Sequence, residues 1–303
     1  MDYDSVAKLY LGDNTICADL INYSVFKGQQ VVTPDCLTSI DNEEISSSPT
    51  PGKDHFPRRR DILKNVIIKH DGRHQYLLFG IEHQSKVNVD MVLRILEYDI
   101  MRYRRERDAL VNKKTKNKGV FTKNDKLPLI ITIVVYFGKR PWAGPLWFHE
   151  LIDADMPELQ EFAPKYKLHI LQPTQINKTD ISLFKSEFAS FLRYIQAGTN
   201  KTALLKLAKE IPILSQAAVN LINLITKANI DATATNEGGM VDMYKGFRAI
   251  REDGVKIGRQ EGYKEGRLEI VKNMLKLKKL SLDEIASVSG FTLAEIEAVA
   301  AKS

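Results

Sequence analysis

Two cysteines in 303 residues are too few to staple a fold. Cys17 and Cys36 have no Cys/His cluster near them in the chain, so neither a disulfide framework nor a zinc module is expected. No stretch approaches the ~18 consecutive apolar residues of a membrane helix, which predicts no membrane partner. Residues 1–10 lack the basic start, apolar core and small-residue cleavage site of a secretory signal. A cytoplasmic, reduced setting is the expectation. No glycine-rich loop has the spacing of a P-loop or a dinucleotide fingerprint, so no nucleotide cofactor is expected either.

What the chain does have is an ordinary globular composition, 44% hydrophobic and 27% charged, with ample apolar material for a core. Its net charge of +6 permits a polyanionic partner. Much of that charge is concentrated: Arg102, Arg104, Arg105 and Arg107 are followed by Lys113, Lys114, Lys116, Lys118, Lys123 and Lys126. Such a run reads equally as a solvated helix end with its loop or as a patch that grips nucleic-acid phosphates.

The order of elements is that of an α/β fold. Apolar spacing predicts a helix over residues 4–27, closed by Gly28, and a turn-rich loop over 33–57 that includes residues 46–52. Residues 61–69 and 76–83 read as two strands joined by the hairpin signal Asp71-Gly72. A helix follows over 89–107. Residues 128–137 are almost continuously apolar and β-branched, as in a strand buried on both faces. A further strand at 167–171 and helices at 179–197, 201–209 and 212–228 complete a main body over residues 1–230. Residues 231–241 read as a polar linker and 242–303 as an all-helical extension.

Pairing the two hairpin strands brings Asp61 beside Glu82. Positions i and i+2 of a strand share a face, so Glu82 and Gln84 should project together, with His83 turned away. Two carboxylates and an amide would meet at one sheet edge. Oxygen ligands of this kind hold Mg²⁺, with phosphate and water filling the remaining positions. On spacing alone an acid at a strand end is more often just solvated.

These residues gain weight from a resemblance. Residues 18–35, Arg60-Asp61-Ile-Leu-Lys64, Phe79-Gly-Ile-Glu82-His-Gln84-Ser85, residues 94–98 and residues 126–138 with Trp142 resemble, in order, the Rpn family of recombination-promoting nucleases within the PD-(D/E)XK nuclease superfamily. The resemblance implies a nuclease core made of a short mixed sheet flanked by helices. It implies a metal-dependent DNA endonuclease of low sequence specificity, tied to recombination or mobile elements, with DNA as partner. Asp61 and Glu82 would be the metal-holding acids, with Mg²⁺ or another divalent cation, and Asp61, Glu82 and Gln84 the catalytic set. Gln84 stands where the superfamily has lysine, and an amide can only orient water or phosphate by hydrogen bonds. Asp19 would be an additional acid on the first helix; an exposed polar helix position is the plain alternative. Arg94, Arg102, Arg104, Arg105, Lys113, Lys114, Lys116 and Lys118 would contact DNA. Arg94 and Tyr98 share a helix face, and Tyr98 reads as core. Lys86 is a further candidate cation near the missing lysine. The alternative reading is a catalytically weak DNA-binding or assembly protein that retains the fold.

The extension has two features. Gly254, Gly258, Gly262 and Gly266 recur every fourth residue and would share one helix face, each costing about 1 kcal/mol against alanine. Either that face packs on another helix, as in a homo-oligomer, or the stretch is a flexible tether. Ser281 to Glu284 forms a capping box, and Thr292 to Glu295 repeats it, so two short helices flank Gly290. The second is acidic and carries no arginine to read bases, which favours a protein-contacting pair over a DNA reader.

Overall fold

The computed structural model describes residues 2–40, 43–44, 58–70, 73–113, 119–236, 238–277 and 279–300. The chain divides into two compact units, Met1–Met243 and Tyr244–Ser303.

The first unit begins with two helices, not one. α1 (Tyr3–Leu11) stops at Gly12, and Asp13 caps α2 (Asn14–Ser24) by accepting hydrogen bonds from the Thr15 and Ile16 amides at 2.8 and 3.3 Å. The continuous apolar spacing concealed this break, although a glycine followed by an N-capping acid is its usual signature. Part of the expected loop is also structured: β1 (Leu37–Ser39) joins the sheet, and β2 (Glu43–Glu44) pairs with β3 (Arg58–Arg59). Residues 46–52 lie outside the described residues.

β4 (Ile62–His70) and β5 (Arg73–Gln84) form the antiparallel hairpin, in register from Ile62 opposite Ile81 to His70 opposite Arg73. That register brackets Asp71 and Gly72, which are themselves outside the described residues. α3 (Met91–Asn112) then crosses to β6 (Leu129–Tyr136), which runs parallel to β5. After a short helical turn, α4 (Pro157–Gln160), the edge strand β7 (His169–Leu171) adds parallel to β6. The sheet order is β1-β4-β5-β6-β7, a mixed sheet, as the α/β reading requires. β6 lies inside it, which explains its unbroken apolar run: Ile130, Ile133, Val134, Val135 and Tyr136 are all buried.

Helices cover the sheet. On α3, Met91, Val92, Ile95 and Tyr98 pack against Val134 and Leu168, so Tyr98 is core as expected. Beyond the sheet come α5 (Phe188–Ala197), α6 (Lys201–Glu210) and α7 (Gln216–Thr226). β8 (Ile213–Leu214) pairs with β9 (Val241–Asp242), so the end of the polar stretch 231–241 folds back onto this unit. Tyr10 of α1 lies 4.8 Å from Phe191 of α5, and Tyr3 lies 6.4 Å from Phe137, just past β6. These aromatic contacts seat α1 where β5 and β6 end, which brings its polar residues to the strand ends.

In the second unit α8 (Met243–Leu277) is one helix through the glycine repeat, so that stretch is not a tether. A Cβ on Gly262 or Gly266 would meet nothing within 4 Å. α9 (Leu282–Ser289) has its capping box at Ser281 and Glu284, and the αL residue Gly290 ends it. α10 (Leu293–Ala300) follows, and Val271, Ile285 and Ile296 form the core of the three helices. None of the described helices is long and apolar enough to cross a membrane.

Candidate active site

Asp61 and Glu82 meet through a reciprocal clasp. The Asp61 amide donates to Glu82 Oε1 at 2.9 Å, and the His83 amide donates to Asp61 Oδ2 at 3.0 Å. Each acid therefore satisfies a backbone donor of the other strand where the regular β4–β5 pairing stops. The second oxygen of each is covered by a cation from a different helix: Arg94 Nη2 of α3 lies 3.0 Å from Glu82 Oε2, and Lys8 Nζ of α1 lies 3.1 Å from Asp61 Oδ1.

The expectation that His83 stays away from the acids needs correction. His83 does turn away from Glu82, towards α1, but its Nδ1 lies 2.9 Å from Asp61 Oδ2 and its Nε2 lies 3.1 Å from Asp4 Oδ1. Strict alternation failed because Asp61 precedes β4, at a bend, so its side chain is not bound to the face that a regular partner of Glu82 would share. The two carboxylates are neighbours, with one leaning towards α1 and the other towards α3.

Their electrostatics diverge accordingly. Glu82 is fully buried, and that burial, with the nearby Asp61 charge, pushes its carboxyl up to about 7 despite Arg94. Burial alone would raise Asp61 too, but the hydrogen bond and charge of His83, with help from Lys8, hold it below the ordinary value. His83 is raised in turn: the hydrogen bond and charge of Asp61, followed by Asp4, outweigh its burial. Between about pH 4.5 and 7 the folded chain thus holds a proton on Glu82 that the unfolded chain has lost, so this group's contribution to stability falls as pH rises through that window. Glu82→Gln should lose less stability between pH 5 and 8 (roughly the limits of that window) than the unaltered chain does, measured by urea denaturation. Equal losses in the two would contradict this placement of the proton.

Next to the clasp lies a polar network the sequence did not reveal. The Arg60 side chain is fully buried; Nη2 donates to Asp99 Oδ1 and Nη1 to Thr132 Oγ1, both at 2.7 Å. Tyr166 donates to Asp99 Oδ2 at 2.6 Å. Gly80 makes room for the guanidinium, since a Cβ there would lie 2.6 Å from Arg60 Nη1. The network fixes the backbone one residue before Asp61. The guanidinium carbons of Arg60 and Arg94 each lie 5.6 Å from the Tyr98 ring centre.

The remaining expected residues scatter. Gln84 ends β5, half-buried, opposite Tyr136, and Lys86 is exposed beyond it. Asp19 is neither exposed nor turned to the clasp. It is buried, and accepts hydrogen bonds from the Lys185 amide at 3.0 and 2.8 Å and the Ser186 amide at 2.6 Å, which holds the chain entering α5. Arg94 serves Glu82. Arg102 is buried and paired with Glu106 Oε1 at 2.6 Å, because its side of α3 turns inward, so it is not an open phosphate contact. Arg104, Arg105 and Lys113 are exposed; Lys114, Lys116 and Lys118 lie outside the described residues.

A divalent cation suits the donor set. Asp61 and Glu82 are hard oxygen donors held side by side at one strand end, and the Asp61 charge adds to burial in raising the Glu82 carboxyl. The described residues contain no group of three His, Cys, Asp or Glu side chains placed for a metal, so two carboxylates would be the protein's share of the acidic ligands.

The model of the YhgA-like putative transposase family matches residues 57–221, which span both acids, the whole of α3 and β6. The chain belongs to that family. Among curated proteins and solved structures, no match is found.

Proposed function

We propose that the chain is a metal-dependent DNA endonuclease of low sequence specificity, hydrolysing phosphodiester bonds at the Asp61–Glu82 centre. The observation that carries this reading is the reciprocal clasp, which gathers two acids of opposite protonation tendency at one strand end. Separation of this kind between neighbouring titratable groups is typical of catalytic centres. Membership of a transposase family supports DNA as the substrate, and the net charge of +6 suits a polyanion.

Asp61 and Glu82 would hold Mg²⁺ or another divalent cation, which supplies an acidified water and neutralises charge growing on the phosphate. Gln84, at the end of β5, would orient water or phosphate through its amide. His83 and Asp4 fix the Asp61 carboxylate, and Arg94 fixes Glu82, so the acids keep their geometry before substrate arrives. Supercoiled plasmid incubated with the protein should be nicked or linearised with Mg²⁺ and stay intact under chelation. Plasmid that survives in Mg²⁺, or that is cut equally well under chelation, would refute the reading.

The exposed basic residues past the middle of α3 would grip the DNA backbone without reading sequence. Changing Arg104, Arg105 and Lys113 together to glutamine should weaken binding to DNAs of any sequence. The slope of log affinity against log salt should shrink by about 0.9 per lost contact on duplex DNA. An unchanged slope in a fluorescence-anisotropy titration would remove these residues from the interface.

A further inference from the structure

Besides His83, which is buried against Asp61, two cations from neighbouring helices touch the acid pair, and they are held differently. Arg94 is tied twice, by Nη2 to Glu82 Oε2 at 3.0 Å and by Nε to the Tyr98 hydroxyl at 2.9 Å. Lys8 meets Asp61 Oδ1 at 3.1 Å through a side chain that remains 43% exposed, whereas Asp61 is only 10% exposed. The ammonium therefore sits on the open side of the carboxylate, at the end of a flexible four-carbon stem. Its root is firm: Val6, Ala7, Tyr10 and Leu11 of α1 are buried around it in sequence, and Asp2 caps the helix. Gln84, at the end of β5, is neutral, and the His83 ring beside it is buried between Asp61 and Asp4, whereas the Lys8 ammonium stands open to solvent.

We propose that Lys8 is the residue whose ammonium contacts the phosphodiester being cut, moving from Asp61 to the phosphate when the complex forms. This rests on the nuclease reading above. In hydrolysis the oxygen of water bonds to phosphorus and its proton passes to solvent. The phosphorus–oxygen ester bond breaks, and the leaving oxygen takes up a proton. Charge grows on the non-bridging oxygens as this happens, and a cation already beside them stabilises it. The ammonium keeps its own protons throughout. Because Lys8 and a metal ion share Asp61 as counter-ion, the lysine opposes metal binding while it aids cleavage.

Those opposite effects make the test. Lys8→Ala and Lys8→Arg are compared with the unaltered chain by plasmid cleavage in Mg²⁺ and by titration with Mn²⁺. Lys8→Ala is expected to lower kcat about 10²-fold, with little change in KM. Its Mn²⁺ affinity should stay level or rise, and Lys8→Arg should keep more of the rate than Lys8→Ala. An unchanged kcat in Lys8→Ala overturns the proposal. So does an Mn²⁺ affinity that falls in step with kcat, the mark of a lysine that merely props Asp61. If the unaltered chain neither cuts plasmid nor binds Mn²⁺, the nuclease reading fails and this proposal with it.

Discussion

Replacing Arg60 with alanine should cost the fold about 3–5 kcal/mol, because it removes one partner of a buried ion pair and leaves the other uncompensated. The guanidinium is fully buried and bonds Asp99 and Thr132 at 2.7 Å each, while the Tyr166 hydroxyl covers the other Asp99 oxygen. Without Arg60 the Asp99 carboxylate keeps two hydroxyl donors and no charge partner, and the space in front of Gly80 becomes a cavity. Since domains are stable by only about 5–15 kcal/mol, the variant should unfold at markedly lower urea. A loss under about 1 kcal/mol would mean that the network is relaxed or hydrated in solution.

The second large effect is on cleavage. Asp61→Asn and Glu82→Gln each keep the shape and the backbone hydrogen bond of the clasp but remove a charge that would hold the metal ion. A metal ion contributes several kcal/mol to stabilising a phosphoryl transition state; about 4 kcal/mol corresponds to about 10³-fold in rate. Each variant should lose cleavage on that scale while circular dichroism and the urea midpoint show a folded chain. Glu82→Gln should even be the more stable protein above about pH 7, where the native carboxylate must carry its charge buried. Cleavage retained within a few-fold in either variant would place the chemistry elsewhere.

Much of the fold is legible because it follows local rules. The Asp-Gly signal between a loosely alternating segment and an apolar one specifies the hairpin and its register, and the apolar run at β6 specifies an interior strand. What fails depends on contacts between distant segments. Asp19 looks like a helix surface residue until residues 185 and 186 return to meet it. Lys8 and Asp4 reach the acids only because Tyr3 and Tyr10 seat α1 over the strand ends, which no spacing within α1 announces. Arg102 belonged to a basic run, yet a long helix has an inner side, and the residue fell on it. Arg60 gave no sign of burial, because the glycine that accommodates it stands twenty residues away. His83 does alternate away from Glu82, and meets Asp61 for a smaller reason: Asp61 stands one residue outside β4, where alternation no longer fixes the side its carboxylate takes. The break between α1 and α2 was readable from Gly12 and Asp13 and was hidden by the apolar spacing across it.

The central claim is that Asp61 and Glu82 form one centre that binds a divalent cation. Titration of Mn²⁺ followed by electron paramagnetic resonance measures it directly, free of any assumption about DNA. The unaltered chain should bind a high-affinity ion more tightly as pH rises through about 7, where Glu82 gives up its proton. The Asp61→Asn/Glu82→Gln double variant, folded, should lose that ion. Equal Mn²⁺ binding by the two chains would contradict the account.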